Sequence, residues 1–194
     1  MTIGDSPSLA AALPFDLMMW GLLAAILIIV VRVERKPLAS IGLRPPGWLT
    51  IFWSLALTFA MTLVLVPGLI WLIDRSGLPG YEYGMRRLLE LPVWYRVFLA
   101  ITAGVVEEAL YRGYAVERLA SLTGSYWAGG SIAVIVFSLV HFPSWGIGPT
   151  VVVFGASIVM TLFYVWKQDL LALMIAHAIG DTIGLVLLPL VNSG

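Results

Sequence analysis

From Leu119 to Trp166 the chain contains no Asp, Glu, Lys or Arg. In lipid every backbone N–H and C=O must find a partner within the protein, so a run of this kind is confined to helices or a closed barrel. It is also too long for one helix, because a bilayer core of ~30 Å is crossed by ~20 residues. The segment HFPSWGIGP (residues 141–149) supplies a break. The run therefore divides into a helix over about 127–142 and another over about 149–166. Composition agrees: of 194 residues 60% are apolar and 11% charged, with mean hydropathy +0.98, well on the membrane side of ordinary soluble chains. The formal net charge of zero gives no reason to expect a nucleic-acid partner, and the absence of cysteine excludes disulfides, thiolate ligands and a Cys nucleophile.

The remaining spans follow. Leu13–Val33 is a first apolar run without a basic leader or small-residue cleavage pattern, so it is expected to be a retained span. RVERKPLASIGLRPPG then reads as a basic, proline-containing loop. Trp48–Ile73 is a second span, about 39 Å long if helical, which calls for tilt, with a kink expected at Pro67-Gly68. Asp74–Leu91 is a connector whose piece YGMRRLLEL suits either an amphipathic surface helix or a solvated loop. Pro92 suits a helix start, and a third helix is expected over Val93–Leu122. Lys167-Gln168-Asp169 turns the chain into a last helix over about 170–190. The expected fold is an all-α, polytopic membrane helix bundle of about six transmembrane helices, one integrated membrane domain. Residues 1–92 give two spans and the connector, and residues 93–194 the functional helical core. With the N-terminus extracytoplasmic, the inner face receives seven Lys/Arg and the outer face four (Arg75, Arg86, Arg87 and Arg96).

Within the third helix, AGVVEEALYRG carries Glu107, Glu108 and Arg112. Ionisable groups at such depth cost about 2.5–3.5 kcal/mol each on insertion scales. Glu108 and Arg112 are four apart and share a helical face. Glu107 points about 100° away, free for other work. A Glu–Arg pair alone is more often a snorkelling cluster at a helix end, but one arginine does not neutralise two buried carboxylates. The two histidines of the chain also sit in apolar segments: His141 ends FSLVH, one turn after Phe137, and His177 stands four before Asp181 in HAIGD. At 1.5 Å per residue Glu107 lies roughly 8–16 Å deep, His141 roughly 16–22 Å and His177 roughly 12 Å, so the three can meet near mid-membrane. A carboxylate in apolar surroundings is a competent general base near neutral pH. A neighbouring imidazole can share the attacking water, and a second can stabilise an oxyanion. Alternatively Glu107, His141 and His177 can supply three zinc ligands with an open fourth position. No GxSxG, HExxH, CxxC or Walker pattern is present.

EEALYR (107–112), FSLVH (137–141) and HAIGD (177–181) together resemble the EExxxR, FxxxH and HxxxN/D motifs of one family. It is the CPBP group of intramembrane proteases, also called the Abi or type II CAAX prenyl endopeptidase family. The resemblance covers roughly residues 93–190 and implies a four-helix catalytic core. It implies an endopeptidase that hydrolyses a peptide bond with activated water, acting on peptide or lipid-modified protein substrates as CAAX prenyl proteases do. By that analogy Glu107 is the general base, His141 its partner around the water, and His177 with Asp181 stabilises the oxyanion. Glu108, Arg112 and Phe137 support the site. Asp181 stands where prenyl-processing members commonly carry Asn, and an ionised Asp cannot donate to an oxyanion. Family members are often named metalloproteases, so zinc is a candidate cofactor; none is required by the motifs. The competing reading is a non-enzymatic membrane immunity or scaffold factor, with the same groups fixing helix packing.

Overall fold

The computed structural model describes residues 9–80 and 82–192; of Ala11, residues 82–85 and Asn192 the backbone alone is described. Among them there is no strand, and seven helices form an all-α membrane bundle. Helix α1 is Leu9–Ile28 with a π-helical extension Ile29–Val33. α2 is the continuous 29-residue helix Trp48–Ser76. α3 is Glu82–Leu89. α4 joins Val93–Thr102, a π-helical stretch Ala103–Val116, and Glu117–Thr123. α5 is Tyr126–Trp145 and α6 Ile147–Lys167. α7 runs from Leu170 through a π-helical turn Ile183–Leu187 to Asn192.

Among the described residues five helices are long and apolar enough to cross a membrane: α1, α2, α5, α6 and α7. The sequence leads to about six. The difference is α4, whose Arg96, Glu107, Glu108, Arg112, Glu117 and Arg118 set it apart in composition. α4 is nevertheless the helix around which the others gather, packing on α7, α5 and α1. Its Ala100, Val106 and Val116 are fully buried, whereas Phe59, Leu63 and Val64 of α2 face outward. That inside-out pattern is expected of a bundle in lipid, where apolar side chains have no reason to hide and charged ones do.

Local chemistry sets the ends and bends. Pro67 has no N–H for the Leu63 carbonyl and its ring would crowd it. α2 responds with the π-helical turn Met61–Leu65, closed by Val66 N–H to Met61 O, and continues to Ser76. The expected kink at Pro67 is thus an inserted π turn ahead of it. α5 passes through His141 and Pro143 and stops only at Gly146, whose φ of 79° an L side chain rarely adopts. The break in HFPSWGIGP is therefore later and sharper than the sequence suggests. Asp169 caps α7 by accepting from Ala172 N–H at 3.0 Å and also takes the Thr50 hydroxyl of α2 at 2.8 Å. The connector piece is helical, as α3, although the side chains of residues 83–85 lie outside the described ones.

One contact fixes the register that matters. A Cβ on Gly104 would lie 2.6 Å from Ala178 N, 2.7 Å from Ala178 Cβ and 2.8 Å from Met174 O. Glycine lets α4 and α7 touch backbone to backbone there, in the manner of small-residue helix contacts in membranes. Glu108 stands four residues along α4 from this contact, and His177 stands one residue before Ala178 on α7.

Candidate functional site

Glu108 is fully buried and Arg112 is 2% exposed. Arg112 Nη1 donates to Glu108 Oε1 at 2.8 Å, and Nη2 donates to Ser157 Oγ of α6 at 2.9 Å. Its guanidinium also stacks over the Phe137 ring of α5, 4.4 Å from the centroid. The i,i+4 pair read from the sequence is present, and it ties α4 to α5 and α6 together. Breaking a buried pair of this kind by removing one partner typically costs ~3–5 kcal/mol.

Glu108 does a second job that the sequence did not disclose. His177 Nδ1 donates to the same Glu108 Oε1 at 2.8 Å, while His177 Nε2 stands 3.5 Å from Asp181 Oδ2. His177 is therefore held between two carboxylates, and its Nδ1 proton is committed to Glu108. Glu108 Oε2 is buried with no protein partner.

Glu107, one residue away, is only half-buried. No hydrogen bond from a described side chain reaches it, and it lies within electrostatic reach of His177, Asp181, Arg112 and Glu108. On α5, His141 Nδ1 donates to the Phe137 carbonyl at 2.6 Å. In the neutral ring that bond fixes the tautomer and leaves the Nε2 lone pair as an acceptor. The His141 ring lies 4.6 Å from Phe137 and 5.5 Å from Trp145, and Phe137 in turn meets Tyr111 at 4.7 Å. No direct hydrogen bond joins Glu107 to His141 among the described residues.

The candidate residues thus fall into a closed set and an open set. Glu108 Oε1, Arg112, Ser157 and His177 Nδ1 are tied to one another, with Glu108 Oε2 left buried and without a protein partner among the described residues. Glu107 and His141 Nε2 have proton-accepting capacity and no protein group using it. Sequence reasoning missed Ser157 and the Glu108–His177 bond. A serine inside the apolar Ile147–Lys167 helix was the available signal for the first. The second depends on the contact at Gly104, which one sequence does not reveal. Zinc fits less well: three protein ligands and an open position are needed, and no three His, Asp or Glu side chains gather as such a set among the described residues.

Residues 89–183 match the family model described as Type II CAAX prenyl endopeptidase Rce1-like. The matched segment contains all three motifs and takes in α4, α5, α6 and most of α7, just under half of the chain. No curated protein and no solved structure matches the chain.

Proposed function

We propose, from the premise that residues 89–183 are Rce1-like, that the chain is an intramembrane endopeptidase in which Glu107 activates water. The observation that carries this reading is the division of two adjacent glutamates. Glu108 is tied through Oε1 to both Arg112 and His177, and Glu107 is left half-buried without a partner. A carboxylate held among apolar helices and spared from pairing has the properties of a general base. His141, its Nδ1 tied to a carbonyl, offers Nε2 to the same water. Asp181, at 3.5 Å from His177 Nε2, orients that ring rather than donating to an oxyanion. The substrate class is a peptide presented at or in the bilayer, lipid-modified as the family description implies. The Lys/Arg distribution favours an extracytoplasmic N-terminus, less strongly once Arg112, buried in the bundle, is left out of the inner-face count.

The scaffold reading accounts for the closed set but gives Glu107 and His141 Nε2 nothing to do. Cleavage of fluorogenic prenylated and unprenylated peptides by the purified chain in lipid nanodiscs separates the two. Wild type is expected to cleave, and Glu107→Gln and His141→Ala, folded to the same extent, are expected not to. Equal cleavage by all three would remove the peptidase reading. Activity is expected to survive complete metal chelation; restoration only by added Zn²⁺ would replace the metal-free version with the zinc one.

A further inference from the structure

We infer that Trp145 is a positioning residue for His141, clamping its imidazole so that Nε2 is the nitrogen presented to the reacting water. This rests on the peptidase reading above and says how the second group of that reading is held.

The clamp is built by one added turn of helix. Pro143 has no N–H for the Leu139 carbonyl, and a proline inside a helix commonly kinks or ends it. α5 nevertheless continues past Pro143 to Trp145, and the Gly146 N–H closes the turn on the Phe142 carbonyl. In that turn Phe142, Pro143 and Ser144 are exposed, whereas Trp145 is half-buried. The turn brings one side chain inward, and that side chain lands on His141.

Trp145 follows His141 by four residues, the spacing at which helical side chains meet. The two rings stand nearly perpendicular, with centroids 5.5 Å apart and an interplanar angle of 85°. Phe137, four residues before His141, contacts the same imidazole at 4.6 Å and 59°. His141 therefore lies between one aromatic ring a turn earlier and another a turn later. The earlier ring is anchored, because the Arg112 guanidinium lies over Phe137 at 4.4 Å. The later ring is Trp145, and without it that side is open.

The Nδ1 bond alone does not hold the imidazole. Its acceptor, the Phe137 carbonyl at 2.6 Å, is also the helical acceptor for the His141 backbone N–H. A half-turn of the ring about Cβ–Cγ breaks the Nδ1 bond, and water can then move the proton to Nε2. In that tautomer Nε2 is a donor and cannot accept from the reacting water. Rings on both sides oppose the half-turn.

His141 and His177 are the only histidines of the chain. Nitrogen NMR of isotope-labelled histidine in nanodiscs therefore reads both rings, with His141→Ala assigning the signals. In wild type His141 is expected to show one tautomer, protonated at Nδ1. Trp145→Leu is expected to mix the two tautomers, and Trp145→Phe, which keeps a ring in contact, to restore the single one. A single tautomer in Trp145→Leu overturns the assignment. Should that variant not fold, Trp145→Gln takes its place.

Turnover gives the second readout. With a prenylated peptide, kcat of Trp145→Leu is expected to fall about 10²-fold, the scale of a misplaced reacting group, at unchanged KM and melting temperature. Trp145→Phe is expected to stay within about threefold of wild type. Equal losses in the two variants, or a Trp145→Leu kcat within about threefold of wild type, overturn the assignment. A loss carried by KM alone makes Trp145 a substrate contact and overturns it as well. A wild type that cleaves nothing removes the peptidase reading, and the tautomer spectra still decide whether Trp145 clamps His141.

Discussion

Helix α4 carries two polar clusters, about ten residues apart, and they are built on opposite terms. At Glu108–Arg112 the charges are sealed: 0% and 2% of the side chains are exposed, and besides their own i,i+4 pair they bond directly to Ser157 of α6 and His177 of α7. At the far end, Arg118 Nε donates to Glu34 at 2.9 Å, its Nη2 forms a second bond to the same carboxylate, and Tyr114 adds a third. There the two charged side chains remain 18% and 20% exposed. Beside it Glu117 collects Tyr164, Tyr126 and Gln168. The first cluster sits where water is scarce and leaves one carboxylate over. The second lies at the ends of α1 and α4 and ties down the start of the 34–47 connection. A surplus charge is informative only in the first setting, because solvent meets any surplus in the second.

The sharpest way to test that contrast is within the sealed cluster. Glu107→Gln is expected to lower turnover by about 10²–10⁴-fold, the range of a lost general base, with melting unchanged because no partner is lost. Glu108→Gln is expected to do the reverse first. It strands Arg112 and should cost ~3–5 kcal/mol of stability, read as a lowered melting temperature in detergent. The double change Glu108→Leu, Arg112→Met should recover most of that stability, since apolar replacement of a buried pair is often neutral. Its activity should stay low, because His177 has lost its acceptor. Recovery of both together would mean that Glu108 has no positioning role.

The sequence carried the helices and the motif residues but not their meeting. Long charge-free runs and Pro or Gly breaks located α1, α2, α5, α6 and α7 to within a few residues, because lipid leaves a chain so few alternatives. α4 was legible as a helix but not as π-helical over Ala103–Val116, since no residue pattern announces a π stretch. The i,i+4 logic paired Glu108 with Arg112 correctly. It said nothing of His177, whose approach is set by a missing Cβ at Gly104 on a different helix. Ser157 was hidden for a similar reason. A serine in an apolar span gains meaning only from the side chain it faces.

Gly104→Ala tests that missing Cβ, with an effect next in size. The new methyl would sit against backbone atoms of Ala178 and Met174, which cannot rotate away. The cost is expected to be about 1–3 kcal/mol, the usual range for overpacking. α7 should also move off α4, so turnover should fall with stability as the Glu108–His177 bond lengthens. Full activity in a destabilised variant would show that this bond is dispensable.

The smallest effect is expected at the open cluster. Glu34→Gln removes a pair that is partly solvated, worth under about 1 kcal/mol. Its charge dependence has a definite sign. The hydrogen bonds and charge of Arg118 hold the Glu34 carboxyl below the usual carboxylate range. The pair's contribution is therefore present at neutral pH and is lost as pH falls through that lowered value. High salt should weaken it too, and should leave Glu108–Arg112 nearly untouched. The melting temperature of wild type should then drop on acidification slightly more than that of Glu34→Gln, while peptide cleavage at neutral pH is equal in both. If Glu34→Gln instead abolished cleavage as Glu107→Gln does, the two clusters would be one functional unit and the contrast drawn from burial would be lost.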